Sequence, residues 1–192
     1  MQNRRERERK YAKEINSFIS AVSSFLPERC ANLLEIGCGI GGVSLGFYIY
    51  YQKQTNLYML DKNKIDENLH YGFDDFYMGY NNMAVTKEFL TTNGVNERHI
   101  TLIDIEKDKF PSTNFDIVAS SLSWGYHYPL DMYISEVLKN LNKNGLLIIH
   151  LRKKRREQWE TLNRFFKNIH IINSFPKFDF VVAKELKREE DT

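Results

Sequence analysis

The order of apolar runs predicts an α/β three-layer sandwich: a mostly parallel seven-stranded sheet covered by helices on both faces and closed by a C-terminal antiparallel hairpin strand. Three observations predict it. Five short apolar runs alternate with segments of helical periodicity, the first run stops at a glycine-rich loop that opens a helix, and only residues 173–177 separate the last two runs. The 192 residues are 42% hydrophobic and 14% aromatic, enough for one substantial core. One domain over 1–192 is therefore expected, with an N-terminal packing helix within 1–30, an α/β core over 31–184 and a tail over 185–192.

Ile15, Phe18, Ile19, Val22, Phe25 and Leu26 recur at helical spacing, and Pro27 helps to end the helix they define. Its head, residues 4–10, mixes both charge signs and reads as a solvated helix start. Residues 33–36 form the first expected strand, 37–42 the glycine loop and 43–51 the next helix. Apolar runs at 57–60, 100–103 and 115–119 read as the second to fourth strands, with Asp61 and Asp104 directly after the second and third. A turn at 142–144 precedes the fifth, 145–149, and helical patterns occupy 82–92, 131–141 and 157–166. The runs 169–172 and 178–183 are too close for a parallel crossover, which needs a dozen or more residues, so they pair as a hairpin.

Twenty-seven Lys and Arg balance 25 Asp and Glu, and a net charge of +2 gives no global field that demands nucleic acid or an anionic membrane. Cys30 and Cys38 are the two cysteines; they exclude a disulfide framework or an all-cysteine zinc cluster and fit a reducing compartment, the cytoplasm. The apolar stretch 15–26 is broken by Asn16, Ser17, Ser20, Ser23 and Ser24, which is unlike a signal peptide. No run approaches the roughly 20 apolar residues of a membrane-spanning helix.

Gly37, Gly39 and Gly41 let the loop turn tightly and bring backbone N–H groups close to a ligand. Asp61, ending the next strand, is placed to accept both hydroxyls of a ribose, so a nucleoside-containing cofactor is expected. The spacing Gly37-x-Gly39-x-x-Gly42 also satisfies the dinucleotide fingerprint. Glu35 two residues before the first glycine, Asp104 after the third strand and the closing hairpin break the tie. Together these resemble the class I S-adenosylmethionine-dependent methyltransferase family, whose first motif, Glu/Asp-x-Gly-x-Gly-x-Gly, is matched by residues 35–41. The resemblance runs from Leu33 to about Lys184 and implies a Rossmann-like fold, an enzyme, and S-adenosyl-L-methionine as cofactor. It further implies that Gly37, Cys38, Gly39 and Gly41 contact the methionine and ribose, with Glu35 supporting them from beneath. Asp61 would hold the ribose hydroxyls, Asp104 and the amide of Ile105 would meet the adenine, and Lys62 and Ser120 would complete the set. The residues themselves leave open that Asp61 caps the following turn and that Asp104 is a surface turn residue.

The stretch 120–131, Ser-Ser-Leu-Ser-Trp-Gly-Tyr-His-Tyr-Pro-Leu-Asp, follows the fourth strand, where ligands of this architecture gather. It lacks the Asp/Asn-Pro-Pro-Tyr/Phe pattern of family members that methylate exocyclic or amide nitrogens. It resembles instead candidate sugar O-methyltransferases with a Ser-x-Ser-Trp-Gly-(Phe/Tyr)-His-Tyr-Pro stretch, which implies a small saccharide-like or nucleotide-sugar acceptor. A neutral hydroxyl is a poor nucleophile, and His127, mostly neutral at pH 7, is the expected general base. Tyr126 and Asp131 are second choices, and the alternative is a histidine that shapes the pocket through the loop backbone. Trp124 and Tyr128 would face the acceptor. The long connection 70–80 reads as a lid whose Tyr71 suits a sugar face and whose Asp74 and Asp75 accept from hydroxyls, or whose aromatics merely pack it down. No metal is expected; Asp74, Asp75 and His127 are the one set that suggests a divalent ion. Residues 152–156, Arg-Lys-Lys-Arg-Arg, read as a solvated helix start, alternatively as a site for phosphates of a nucleotide sugar or RNA. RNA methylation and an inert cofactor-binding module are the rival functions, with nucleic acid the less expected partner.

Overall fold

Every residue of the first strand from Leu33 to Ile36 is buried, as a strand covered on both faces requires. The computed structural model describes residues 4–63 and 81–187. The strands are β1 (Asn32–Ile36), β2 (Asn56–Asp61), β3 (Ile100–Asp104), β4 (Phe115–Ser120), β5 (Leu141–Arg152), β6 (Phe166–Ser174) and β7 (Phe178–Leu186). The helices are α1 (Arg4–Val22), α2 (Gly42–Tyr50), α3 (Met83–Thr92), α4 (Ile134–Asn140) and α5 (Glu157–Phe165). The sheet runs β3-β2-β1-β4-β5-β7-β6, with β1 to β5 paired in parallel and β7 antiparallel to both its neighbours. This is the seven-stranded, Rossmann-like architecture that the sequence predicts. The chain runs outward from β1 through β2 to β3, then returns to build β4 and β5 on the other side. The carboxyl ends of β1 and β4 thus flank the switch point, where a crevice opens.

Side chains alternate across β1. Leu33 joins a core with Phe18, Val22, Phe47, Leu57 and Ile117, while Leu34 and Ile36 join a second with Leu60, Val118, Val137, Leu147 and Leu162. Burying each such side chain is worth about 1.5–3 kcal/mol, so both sheet faces contribute to holding β1 in place. Asn82 begins α3 as expected, its side-chain oxygen accepting from the N–H groups of Ala84 and Val85.

Four elements differ from expectation, one of them β6, which runs Phe166–Ser174 where 169–172 is expected. The segment 131–141 is not one helix: a 3-10 turn at Leu130–Met132 precedes α4, which ends at Asn140. β5 is longer than 145–149 and ends at Arg152, its register against β4 shifting where residues 142–144 intervene. The basic run is consequently not a solvated helix start: Arg152 is a buried strand residue, and α5 begins at Glu157. β7 reaches Leu186, two residues past the expected end of the core.

α1 lies against α2 across two glycines. A Cβ on Gly46 would come within 2.7 Å of Ile15 Cγ2 and 2.8 Å of Ile19 Cγ1, and one on Gly42 would collide with the Tyr11 hydroxyl. Gly46→Val is expected to destabilise the fold by about 1–3 kcal/mol in urea unfolding, because overpacking against both isoleucines outweighs relief of glycine's poor helix propensity. Unchanged stability would show that α1 is not packed this closely.

Candidate active site

The glycine loop joins β1 to α2 at the switch point. Gly37 and Gly39 have φ of +72° and +52°, a left-handed backbone that favours glycine. A Cβ on Gly37 would collide with the Ser123 side chain, whereas one on Gly39 would meet nothing within 4 Å, so the loop backbone lies bare towards the crevice.

Two carboxylates fix that loop. Glu35, fully enclosed beneath it, accepts at Oε2 from the Ser44 N–H at 3.0 Å and the Ser44 hydroxyl at 2.6 Å, tying β1 to the first turn of α2. Burial pushes the Glu35 carboxyl up to about 8 against the lowering effect of the two Ser44 donors. Asp61, ending β2, accepts from the Gly39 N–H at Oδ2 and from the Lys62 N–H at Oδ1, each at 2.8 Å. Burial raises its pKa, opposed by those donors and the Lys62 charge. Each carboxylate oxygen can accept more than one hydrogen bond, so capacity remains for ribose hydroxyls.

The crevice is a cavity of about 500 Å³, within the range usual for small-molecule sites. Gly37, Cys38, Gly39, Asp61, Lys62 and Ile105 line it at one side, and Trp124, His127 and Tyr128 at the other. Glu35 also reaches it, but Gly41, Asp104, Ser120, Tyr126 and Asp131 do not form its wall. Gly41 is buried at the start of α2. Asp104 turns into its own turn, meeting Lys107 Nζ at 3.0 Å and the N–H groups of Glu106 and Asn63. Burial alone would raise it, but these partners prevail and hold it below the usual carboxylate range. Ser120 lies beneath, its hydroxyl donating to Ile36 O at 2.7 Å and accepting from the Trp124 N–H at 3.0 Å. Tyr126 is fully buried behind His127, and Asp131 is exposed on the 3-10 turn. Tyr71, Asp74, Asp75 and the connection 70–80 lie outside the described residues.

α1 supplies a wall that sequence reasoning assigned to packing alone: Tyr11, Glu14, Ile15 and Phe18 all line the cavity. The Tyr11 hydroxyl accepts from the Gly42 N–H, and burial, followed by the Glu35 charge, raises its pKa. Its position at i, i+4 and i+7 from Ile15 and Phe18 carried that signal in the sequence. Among the described residues no group of three or more His, Cys, Asp or Glu is arranged to hold a metal ion.

A family model described as a methyltransferase domain matches residues 3–189. The chain belongs to that family. The family's cofactor is S-adenosylmethionine, and the bare glycine loop, the Asp61 carboxylate and the cavity volume fit it. No curated protein matches the chain. Among solved structures, a candidate O-methyltransferase from Nostoc punctiforme has a TM-score of 0.63 at 13% identity over 91% of this chain and 56% of that one. A candidate O-methyltransferase from Klebsiella pneumoniae has 0.61 at 15%, over 91% and 80%. A precorrin-6y C5,15-methyltransferase from Geobacter metallireducens has 0.59 at 13%, over 90% and 88%. The chain spans little more than half the length of the Nostoc protein, and at these identities the likeness is one of fold. Neighbours named for oxygen and for carbon methylation share it, so the fold does not choose the acceptor atom.

Asp61→Ala should weaken binding of S-adenosylhomocysteine by roughly 1.5–3 kcal/mol in calorimetry, the scale of hydrogen bonds to a charged group; unchanged affinity would place the ribose elsewhere. Glu35→Gln carries a pH signature. Because the folded carboxyl titrates higher than the unfolded one, the native state binds the extra proton between pH about 4.5 and about 8 and wild type loses stability as pH rises through that window. The variant's unfolding free energy should therefore gain on wild type from pH 4.5 to 8, and a constant difference would refute the shift.

Proposed function

We propose that this methyltransferase acts on a hydroxyl of a small saccharide-like or nucleotide-sugar acceptor, with His127 as general base. The observation that carries the reading is the placement of His127 on the same cavity wall as Trp124 and Tyr128, facing a cavity shared with the glycine loop and Asp61. The half-buried Tyr128 ring suits the apolar face of a sugar, and Trp124, four residues before it, is fully buried. Burial, and then the nearby Arg155 charge, lowers the His127 pKa below its ordinary 6.5, so the ring is neutral and able to take a proton at pH 7.

When bound, S-adenosylmethionine supplies a methyl group on a positively charged sulfur. The chain's own part is to hold an acceptor hydroxyl in line, keep water out, and receive the hydroxyl proton on a His127 ring nitrogen. An RNA substrate is disfavoured by the fate of the basic run. Arg152 is buried over the Tyr126 ring, Lys153 pairs with Asp179 at 3.3 Å, and Arg155 donates to His127 O, so three of the five cations are engaged within the fold. The free thiols of Cys30 and Cys38 support a reducing, cytoplasmic setting. No helix among the described residues is long and apolar enough to cross a membrane.

Mass spectrometry of saccharides and nucleotide sugars incubated with methyl-labelled cofactor identifies the acceptor. Label in RNA instead would overturn the reading. With the acceptor in hand, His127→Ala should lower turnover about 100-fold or more while S-adenosylhomocysteine affinity stays nearly constant, since general-base catalysis is typically worth 10² to 10⁴. Wild-type turnover should fall as pH drops through the ring's pKa, below 6.5, and EDTA should leave it unchanged. Full activity of the variant, or loss in EDTA restored by Mg²⁺, would direct attention to Asp74 and Asp75.

A further inference from the structure

The segment that carries His127 lies between β4 and α4, and one buried side chain grips it on both sides of the histidine. Gln158, on the first turn of α5, is 2% exposed. Its Nε2 donates to Gly125 O at 2.8 Å, and its Oε1 accepts from the Leu130 N–H at 3.2 Å. His127 stands between those two anchors in the chain. An amide offers a donor and an acceptor on one planar group, which a carboxylate, a hydrocarbon or a thioether of similar length does not.

Other bonds complete the brace. The Arg152 N–H also donates to Gly125 O at 3.0 Å, so Gly125 has a second anchor on β5. The Gly125 N–H donates to Tyr128 O at 2.7 Å, and the His127 N–H donates to Ser123 O at the same distance. Arg155 donates from Nη2 to His127 O at 2.9 Å. At the far end, Leu130 O accepts from Trp124 Nε1 at 3.0 Å, so the residue whose N–H Gln158 holds also holds the buried indole.

We propose that Gln158 is a positioning residue: by holding Gly125 and Leu130 it sets the His127 ring in the wall of the active site and anchors the buried Trp124 indole. The catalytic meaning of this rests on the reading of His127 as base, but the geometry does not. Among the groups facing His127, Arg155, from the segment before α5, and the Tyr126 ring, edge-on at 4.8 Å, would report its displacement.

The test uses the isotope-labelled full chain and follows the His127 imidazole by NMR, its signals assigned by their loss in His127→Ala. Gln158→Met keeps length and loses both hydrogen bonds; Gln158→Asn keeps the neutral amide and loses reach. In either variant the His127 pKa is expected to move up towards 6.5 as the ring leaves its buried place beside Arg155. Exchange of the Leu130 amide hydrogen should accelerate about tenfold or more. Calorimetry with S-adenosylhomocysteine should find affinity within about threefold of wild type, because the glycine loop and Asp61 are untouched. A variant that melts at lower temperature yet leaves the His127 titration and Leu130 exchange unchanged would overturn the proposal and reduce Gln158 to packing. Should Gln158→Met not fold, Gln158→Asn decides by the same readouts. No acceptor is needed, so a wrong assignment of the base would leave these results standing, whereas His127→Ala turnover tests the base alone.

Discussion

A loop stripped of side chains cannot hold its own shape, and the active site depends on the two carboxylates that shape it. Glu35 grips the start of α2 from beneath through Ser44, and Asp61 grips the Gly39 N–H from the neighbouring strand. Both are enclosed, and enclosure of a charged carboxyl costs free energy that donors offset only in part; at Glu35, pushed up to about 8, the proton is retained at neutral pH. Their donors are backbone and hydroxyl groups of the loop itself and its flanks, so each acid is tolerated because the loop is in place and the loop is in place because of the acids. The parallel register of β1 against β2 brings Glu35 and Asp61 to the same sheet edge and makes this reciprocity possible.

The opposite wall is built differently. Residues 121–130 take their shape from side chains far along the chain, chiefly Gln158 and Arg155, and from the last residue of β5. His150 adds to this from β5: its Nδ1 accepts from the Leu122 N–H at 3.3 Å, and burial among Phe18, Phe178 and Phe180 lowers its pKa to about 4, which keeps the ring neutral and the acceptor available. Arg152 and Arg155, which look like part of a nucleic-acid patch in one dimension, brace a wall of the cavity. α1 closes a third side through Tyr11, Glu14, Ile15 and Phe18. One cavity therefore draws on the N-terminal helix, the first two strands, the loop after β4 and the segment before α5.

Much of this was legible in the sequence. The alternation of apolar runs determined the sheet and its closing hairpin, because parallel strands buried on both faces must be apolar throughout, and five residues cannot make a crossover. The pattern from Glu35 to Gly41, with Asp61 one strand later, determined the shape of the loop after β1, because the left-handed turn at Gly37 and Gly39 and a carboxylate at the end of the adjacent strand are local requirements that local spacing can record. What tertiary structure alone decided is which side chains share the cavity and which stand behind it. Tyr126 and His127 are neighbours in sequence, yet one is sealed in the interior and the other faces the site. Gln158, Arg155 and the lining face of α1 carry no motif of their own. Their roles arise from contacts about 30 to 120 residues apart in the chain, and a periodicity of two or 3.6 residues records which face of an element is apolar but not which distant backbone group that face will meet.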